Sequence, residues 1–208
     1  KIKEKIEMGT KVLDFNQYKK IPKFIAVEGP IGVGKTTLTK LLAESFGYNT
    51  FLEKPSENPF LADFYENPSQ AALGAQLFFL FQRVKQIQEI KQGDIFTPTR
   101  VSDFLLDKDK LFAKATLSDQ ELKLYEQIYD YLSLDLPTPD LVVYLQAETK
   151  TLHQRVMHRG IEMEKSVSFD YLELLNESYK EFFFDYDRSP VLIVNSDYLD
   201  LESSKGDY

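Results

Sequence analysis

The hydrophobic pattern of the chain alternates between short unbroken apolar runs and longer stretches whose apolar positions recur every three or four residues. Phe24–Val27 and Leu141–Leu145 are runs of the first kind and read as parallel strands buried on both faces. Tyr48–Leu52, Ile95–Phe104 and Pro190–Asn195 predict three more strands, and the second apolar run extends to Asp140–Gln146. Leu73, Leu77, Leu80, Val84 and Ile87 lie at helical spacing and predict a long helix over Ser69–Gln92, stopped by Gly93. Further helices are predicted from near Gly34 and over Leu106–Lys114, Ser118–Leu132, Lys150–Arg159 and Phe169–Phe183. Ser118 followed by Glu121 is a capping-box signature. Pro59 and Pro68 mark Asn58–Asn67 as a loop or short helix. Strands alternating with helices predict an α/β fold, a five-stranded parallel sheet with helices on both faces and ligands at the carboxyl ends of the strands. Residues 1–23, polar and lysine-rich with a helix-like start at Ile2 and Ile6, read as an N-terminal extension ended by Pro22. Residues 24–208 read as one domain with an acidic tail expected to fray after Asp197.

Composition narrows the classes. A chain of 208 residues is long enough for a good core in one domain. Its net charge of −8 weighs against a nucleic-acid surface, which needs a basic stripe. Without cysteine there is neither disulfide nor thiolate chemistry. The longest apolar runs, Leu77–Phe81 and Leu141–Leu145, fall far short of the roughly 20 residues a membrane span needs. With no signal-peptide pattern, the expected location is the cytoplasm. The chain opens on Lys1 rather than Met, which leads us to expect residues upstream. His153 and His158 cannot build a metal site alone.

The chemistry begins where the first strand breaks at Glu28-Gly29. Gly29, Gly34, Lys35 and Thr36 stand at the fixed positions of G-x-x-x-x-G-K-T, between a strand and a helix. Glycines at Gly29, Gly32 and Gly34 let backbone N–H groups wrap an anion, and the helix N-terminus beginning near Lys35, Thr36 and Thr37 adds free donors. Lys35 reaches the outer phosphates and the Thr36 hydroxyl is a ligand for Mg²⁺. The pattern predicts a nucleoside triphosphate site, with ATP·Mg²⁺ as the phosphate donor.

Other strand ends carry candidate groups. Glu53 follows the second strand, where a carboxylate is placed to act as a general base; the plain alternative is a surface glutamate before Pro55. Asp103 ends the third strand, where P-loop enzymes keep a carboxylate for Mg²⁺; an ordinary cap is the alternative. Arg155 and Arg159, four apart on one helical face, fit a phosphate-clamping lid over about 155–168, against a solvated basic face. Gln76 and Arg83 share a face of the long helix and suit the edge of a base, and Phe112 suits a stacking ring. Asp107 or Lys108 would complete the base edge, and register does not choose between them.

Taken in order, EGPIGVGKTT, Glu53-Lys54-Pro55, NPFLADFYENP, LFFLFQRVKQ, VSDFLLDKDKLFA and RVMHRGIEMEKSVSFDYLELLNESY resemble the deoxynucleoside kinases, most closely the bacterial deoxyguanosine and deoxyadenosine enzymes. The resemblance runs from about Phe24 to Phe184. It implies phosphorylation of a deoxynucleoside 5′-hydroxyl in nucleotide salvage, with purines favoured, by a homodimer. It further implies Glu53 as the base, Tyr65 and Glu164 on the 3′-hydroxyl, Gln76 and Arg83 on the nucleobase with Phe112 stacked on it, and Arg155 and Arg159 in the lid. Two positions depart from the pattern: Phe104 stands where many relatives carry an arginine after the third-strand carboxylate, and Ile161 replaces the second arginine of Arg-Gly-Arg. The competing expectations are a pyrimidine deoxynucleoside kinase, a nucleoside monophosphate kinase, for which Arg83 alone is thin support, and a non-catalytic nucleotide-binding subunit.

Overall fold

The computed structural model describes residues 22–92 and 98–199. Residues 1–21 of the extension expected over 1–23, the start of the strand expected at Ile95, and residues 200–208 of the tail expected after Asp197 lie outside the described residues. Five strands, β1 (Phe24–Glu28), β2 (Asn49–Phe51), β3 (Arg100–Ser102), β4 (Leu141–Gln146) and β5 (Val191–Asn195), form one sheet in the order β2-β3-β1-β4-β5. All pairings are parallel, with Ile25 of β1 opposite both Val101 and Leu141. The helices are α1 (Lys35–Phe46), α2 (Leu61–Glu66), α3 (Pro68–Lys91), α4 (Asp109–Thr116), α5 (Asp119–Ser133), α6 (Thr149–Arg159) and α7 (Phe169–Asp185).

Alternation along the central strands assigns the two faces. Ile25, Val27, Val143 and Leu145 point to one side and pack with Leu38 and Leu42 of α1 and Leu152 of α6. Ala26, Val142 and Tyr144 point to the other, against Leu111 of α4 and Leu175, Tyr179 and Phe183 of α7. Leu80, Val84 and Ile87 of α3 form a further core with Tyr125 and Tyr129 of α5 and with Phe104. Fully buried side chains of this size contribute roughly 1.5–3 kcal/mol each. The capping box forms at α5, where Ser118 N–H donates to Glu121 Oε2 at 3.0 Å.

β2 and β3 are shorter than the apolar pattern predicts. β2 keeps only three residues, and β3 begins at Arg100. The helix expected over Leu106–Lys114 divides into a 3-10 turn, Leu106–Lys108, and α4. That division places β3's carboxyl end, the turn and the start of α4 around the mouth of the sheet, beside the loop between β1 and α1.

Candidate active site

The loop from Gly29 to Gly34 is held close to the fold by two glycines. At Gly29, φ is +150° and an added Cβ would lie 2.4 Å from the Leu145 carbonyl oxygen of β4. At Gly32, φ is +82° and a Cβ would lie 2.9 Å from the Leu152 carbonyl oxygen of α6. A side chain at either place would lift the loop off the sheet. Lys35 is the first residue of α1, and its ammonium arches back to donate to the carbonyls of Gly29 at 2.7 Å and Pro30 at 3.1 Å. Burial lowers the Lys35 amine to about 8, and Lys108 adds to that effect against the opposing carboxylates Glu28, Glu53 and Asp103.

Asp103, just past β3, ties the loop to the next strand end. Its Oδ2 accepts from the Thr36 hydroxyl at 2.5 Å, and its Oδ1 accepts from the Glu53 N–H at 2.7 Å. Burial pushes the Asp103 carboxyl up, and the Glu53 charge adds to this. Thr36 and Asp103 therefore present two hard oxygens side by side. Mg²⁺ suits such a pair, because it takes one or two protein ligands and completes its octahedron with phosphates and water. No group of three or more His, Asp or Glu able to hold a metal occurs among the described residues.

Glu53 sits after β2 in a dense charge cluster. Its Oε1 accepts from Arg83 Nε at 2.6 Å, pairs with Arg83 Nη2 at 2.5 Å and with Lys108 Nζ at 3.1 Å. All three contacts fall on Oε1. Burial alone would raise this carboxyl, but Arg83, Lys108 and Lys35 outweigh it and hold it at about 2. Arg83 Nη1 pairs with Asp109, which is fully buried and keeps Oδ2 without a partner. Burial pushes the Asp109 carboxyl up to about 7, with Arg83 acting against it. Lys108 also pairs with Glu28 Oε2 at 3.3 Å, and the fully buried Glu28 accepts from the N–H groups of Gly29 and Leu105 and from Tyr179 Oη.

A cleft of about 140 Å³ opens from this cluster. Gly32, Lys35 and Thr36 form its phosphate end, and Glu53, Arg83, Asp103 and Lys108 its centre. Tyr65, Gln76, Phe112, Arg159 and Glu164 line the rest. Gln76 is buried, with Nε2 3.4 Å from Thr116 Oγ1. Phe112 stands edge-on to Tyr179 with ring centroids 6.0 Å apart. Burial, and then the Glu164 charge, raises the Tyr65 hydroxyl well above its usual value. Glu164 lies in the single turn after α6 and accepts from Arg159 Nη2 at 2.5 Å.

A family model described as deoxynucleoside kinase matches residues 25–208. The chain belongs to the deoxynucleoside kinase family. The deoxyguanosine kinase of Bacillus subtilis (strain 168) is 36% identical over 194 residues, covering 89% of this chain and 92% of that relative. The deoxyadenosine/deoxycytidine kinase of the same strain is 32% identical over 191 residues, covering 87% of each chain. The solved structure of a deoxyadenosine kinase from M. mycoides, with products dCMP and a flexible dCDP bound, superposes with a TM-score of 0.75 at 28% identity, covering 86% of this chain and 92% of that one. A deoxynucleoside kinase is a phosphotransferase, and this kinase keeps the strand–loop–helix on which such chemistry is built.

Within the kinase, several side chains take places other than those expected. Arg155 does not line the cleft: it donates to the carbonyls of Ser196 at 2.7 Å and Leu199 at 3.0 Å and reaches Val33 O at 3.5 Å, so it ties α6 to the loop and to the end of β5. Only Arg159 of the pair faces the cleft. Gly29 and Gly34 shape the loop without lining the cleft, and Thr37 is half-buried one residue beyond its wall. Asp107 pairs with Arg188 and does not line the cleft, whereas Lys108 lines it with its ammonium turned to the carboxylates of Glu28 and Glu53. Glu28 and Asp109 escape sequence reasoning altogether. Glu28 carries a usable signal, a carboxylate at the last position of an otherwise apolar buried strand, whereas Asp109 sits in a charged run that reads as solvated.

Proposed function

We propose that the kinase transfers the γ-phosphoryl group of ATP to the 5′-hydroxyl of a deoxynucleoside, with deoxyguanosine preferred and deoxyadenosine second, in nucleotide salvage. The observation that carries this reading is the Glu53 carboxylate. It is anionic, pinned through Oε1 by Arg83 and Lys108, and stands between the phosphate loop and the part of the cleft lined by Tyr65, Gln76, Phe112 and Glu164. Lys35 and the loop N–H groups hold the β- and γ-phosphates, and Arg159 approaches them from the lid. Thr36 and Asp103 would hold Mg²⁺, which supplies charge neutralisation on the phosphate oxygens. Glu53 Oε2 accepts the 5′-hydroxyl proton. A carboxyl held near 2 is a weak base, yet it suffices in a loose transition state, where the proton leaves late from an already acidic nucleophile.

Gln76 offers a donor and an acceptor to a purine edge, and the buried Ala75 leaves room beside it for two rings; Arg83, expected at that edge, gives Nε and Nη2 to Glu53 and Nη1 to Asp109 instead. Competitive kinetics over the four deoxynucleosides is the test. Values of kcat/KM for deoxyguanosine and deoxyadenosine should exceed those for deoxycytidine and thymidine by about tenfold or more, in line with well-made polar contacts. Thymidine or deoxycytidine ahead of both purines would reject the purine assignment. A nucleoside monophosphate kinase is the weaker reading, because Arg83, the cation it would use for the acceptor phosphate, is taken by Glu53 and Asp109.

Tyr65 and Glu164 form the sugar end of the same reading. A pair built to bond the 3′-hydroxyl, with Glu164 buried and Tyr65 half-buried, is left unsatisfied by a sugar without it. Dideoxyguanosine is therefore expected to show kcat/KM roughly 10²-fold below deoxyguanosine. Equal efficiencies in steady-state assays would take Glu164 out of the sugar site. The same reading includes a cytoplasmic homodimer. Exposed Leu124 and Tyr131, seven apart on α5, supply an apolar face for self-association, and sedimentation reads its mass.

A further inference from the structure

Asp107-Lys108-Asp109-Lys110 looks like a solvated charge run, but the fold divides it. Asp107 pairs with Arg188 and Lys110 with Asp130, both at the surface, while Lys108 and Asp109 turn inward and are 2% and 0% exposed. Lys108 Nζ lies 3.1 Å from Glu53 Oε1 and 3.3 Å from Glu28 Oε2. Glu28 is a fixed anchor at the root of the phosphate loop, accepting from Gly29 N at 2.8 Å, Leu105 N at 2.7 Å and Tyr179 Oη at 3.0 Å. A buried ammonium is retained only when its desolvation is offset by partners, and here two carboxylates offset it. They outweigh burial, so Lys108 holds its proton more firmly than a free lysine. Arg83 cannot substitute, since its remaining donor edge is committed to Asp109 and it makes no link to the loop strand. Phe104, which follows Asp103, is fully buried with Leu80, Val84 and Tyr125 and brings no charge to the cleft.

We propose that Lys108 is a positioning residue of the phosphoryl transfer: by bridging Glu28 and Glu53 it fixes the Glu53 carboxylate through Oε1 and leaves Oε2 to the reaction. The proposal rests on Glu53 being the proton acceptor of the reaction assigned above. Lys108 acts through Glu53, so its contribution vanishes when Glu53 cannot take a proton.

Steady-state kinetics of the full chain with ATP·Mg²⁺ and deoxyguanosine tests this. K108M keeps the apolar stem and removes the charge. Its kcat is expected to fall about 10²-fold, the usual loss for one preorganised donor, with KM for the nucleoside moving less than about threefold. K108R is expected to recover most of that loss. In the E53Q background K108M is expected to cost less than about threefold more, because the two changes break one unit. A merely structural lysine would instead slow E53Q as much as it slows the wild type. Where K108M strands Glu28 and unfolds the chain, the same cycle in the E28Q background gives the same comparison without an unpaired buried carboxylate. Additive losses, or a K108M kcat within threefold of wild type, overturn the proposal alone. A wild-type chain inactive on every deoxynucleoside overturns the functional reading and this inference with it.

Discussion

Lys35→Ala is expected to remove detectable phosphoryl transfer, a loss of about 10³-fold or more, while the protein stays folded. The magnitude follows from charge. The γ-phosphoryl group spreads negative charge over three oxygens in the transition state, and the lysine of the loop is the cation aimed at them. The Lys35 ammonium bonds only to the loop carbonyls of Gly29 and Pro30, so its removal opens no cavity in the core. Its amine is lowered to about 8 by burial, below the 10.5 of an unfolded lysine. A lowered lysine pKa means the charged form is a burden on the folded state below about 8, relieved as pH rises from there towards the unfolded value. Alanine removes that burden, and thermal melting at pH 7 should show a Tm no lower than wild type. Near-normal turnover in the variant would show that the loop does not hold the transferred phosphate.

Glu53→Gln is expected to lower kcat by about 10²–10⁴-fold with a smaller change in nucleoside KM. Glutamine keeps an oxygen for Arg83 and Lys108 but puts an NH₂ donor in the place of Oε2. Loss concentrated in KM, with kcat preserved, would make Glu53 a binding residue only. Stability supplies an independent check with a definite sign. The Glu53 carboxyl is depressed to about 2 from 4.5, chiefly by Arg83 and then Lys108 overcoming burial. Its contribution is therefore complete above about pH 4.5 and is lost as pH falls towards 2. Urea unfolding should find wild type more stable than E53Q at pH 7, with the gap narrowing at pH 3.

The departures at positions 104 and 161 bear on the same chemistry. Phe104 packs into the core, and Ile161 lies exposed just past the Gly160 turn. Asp103 still joins Thr36 to Glu53, and Lys35 still bonds to the loop carbonyls of Gly29 and Pro30. That pattern favours an active kinase over a non-catalytic subunit.

Much of this protein is written locally. The phosphate loop was legible because its glycines, lysine and threonine act through their own backbone and an adjacent helix start, all within eight residues. The central strands were legible because burial on both faces demands unbroken apolar runs, and α3 because its apolar residues repeat at the helical period. The capping box at Ser118 and Glu121 is likewise a contact three residues long. Periodicity states which residues share a face, but not what covers that face, and there tertiary structure decided. Arg155 and Arg159 share one, yet the end of β5 lies over Arg155 and takes its donors, while Arg159 projects past the helix end to Glu164. The run at 107–110 alternates between surface and interior because a 3-10 turn rotates Lys108 and Asp109 inward. Lys108 meets Glu28 and Glu53 across 80 and 55 residues of chain, and the cost of burying any one of those charges makes sense only once the other two are in place.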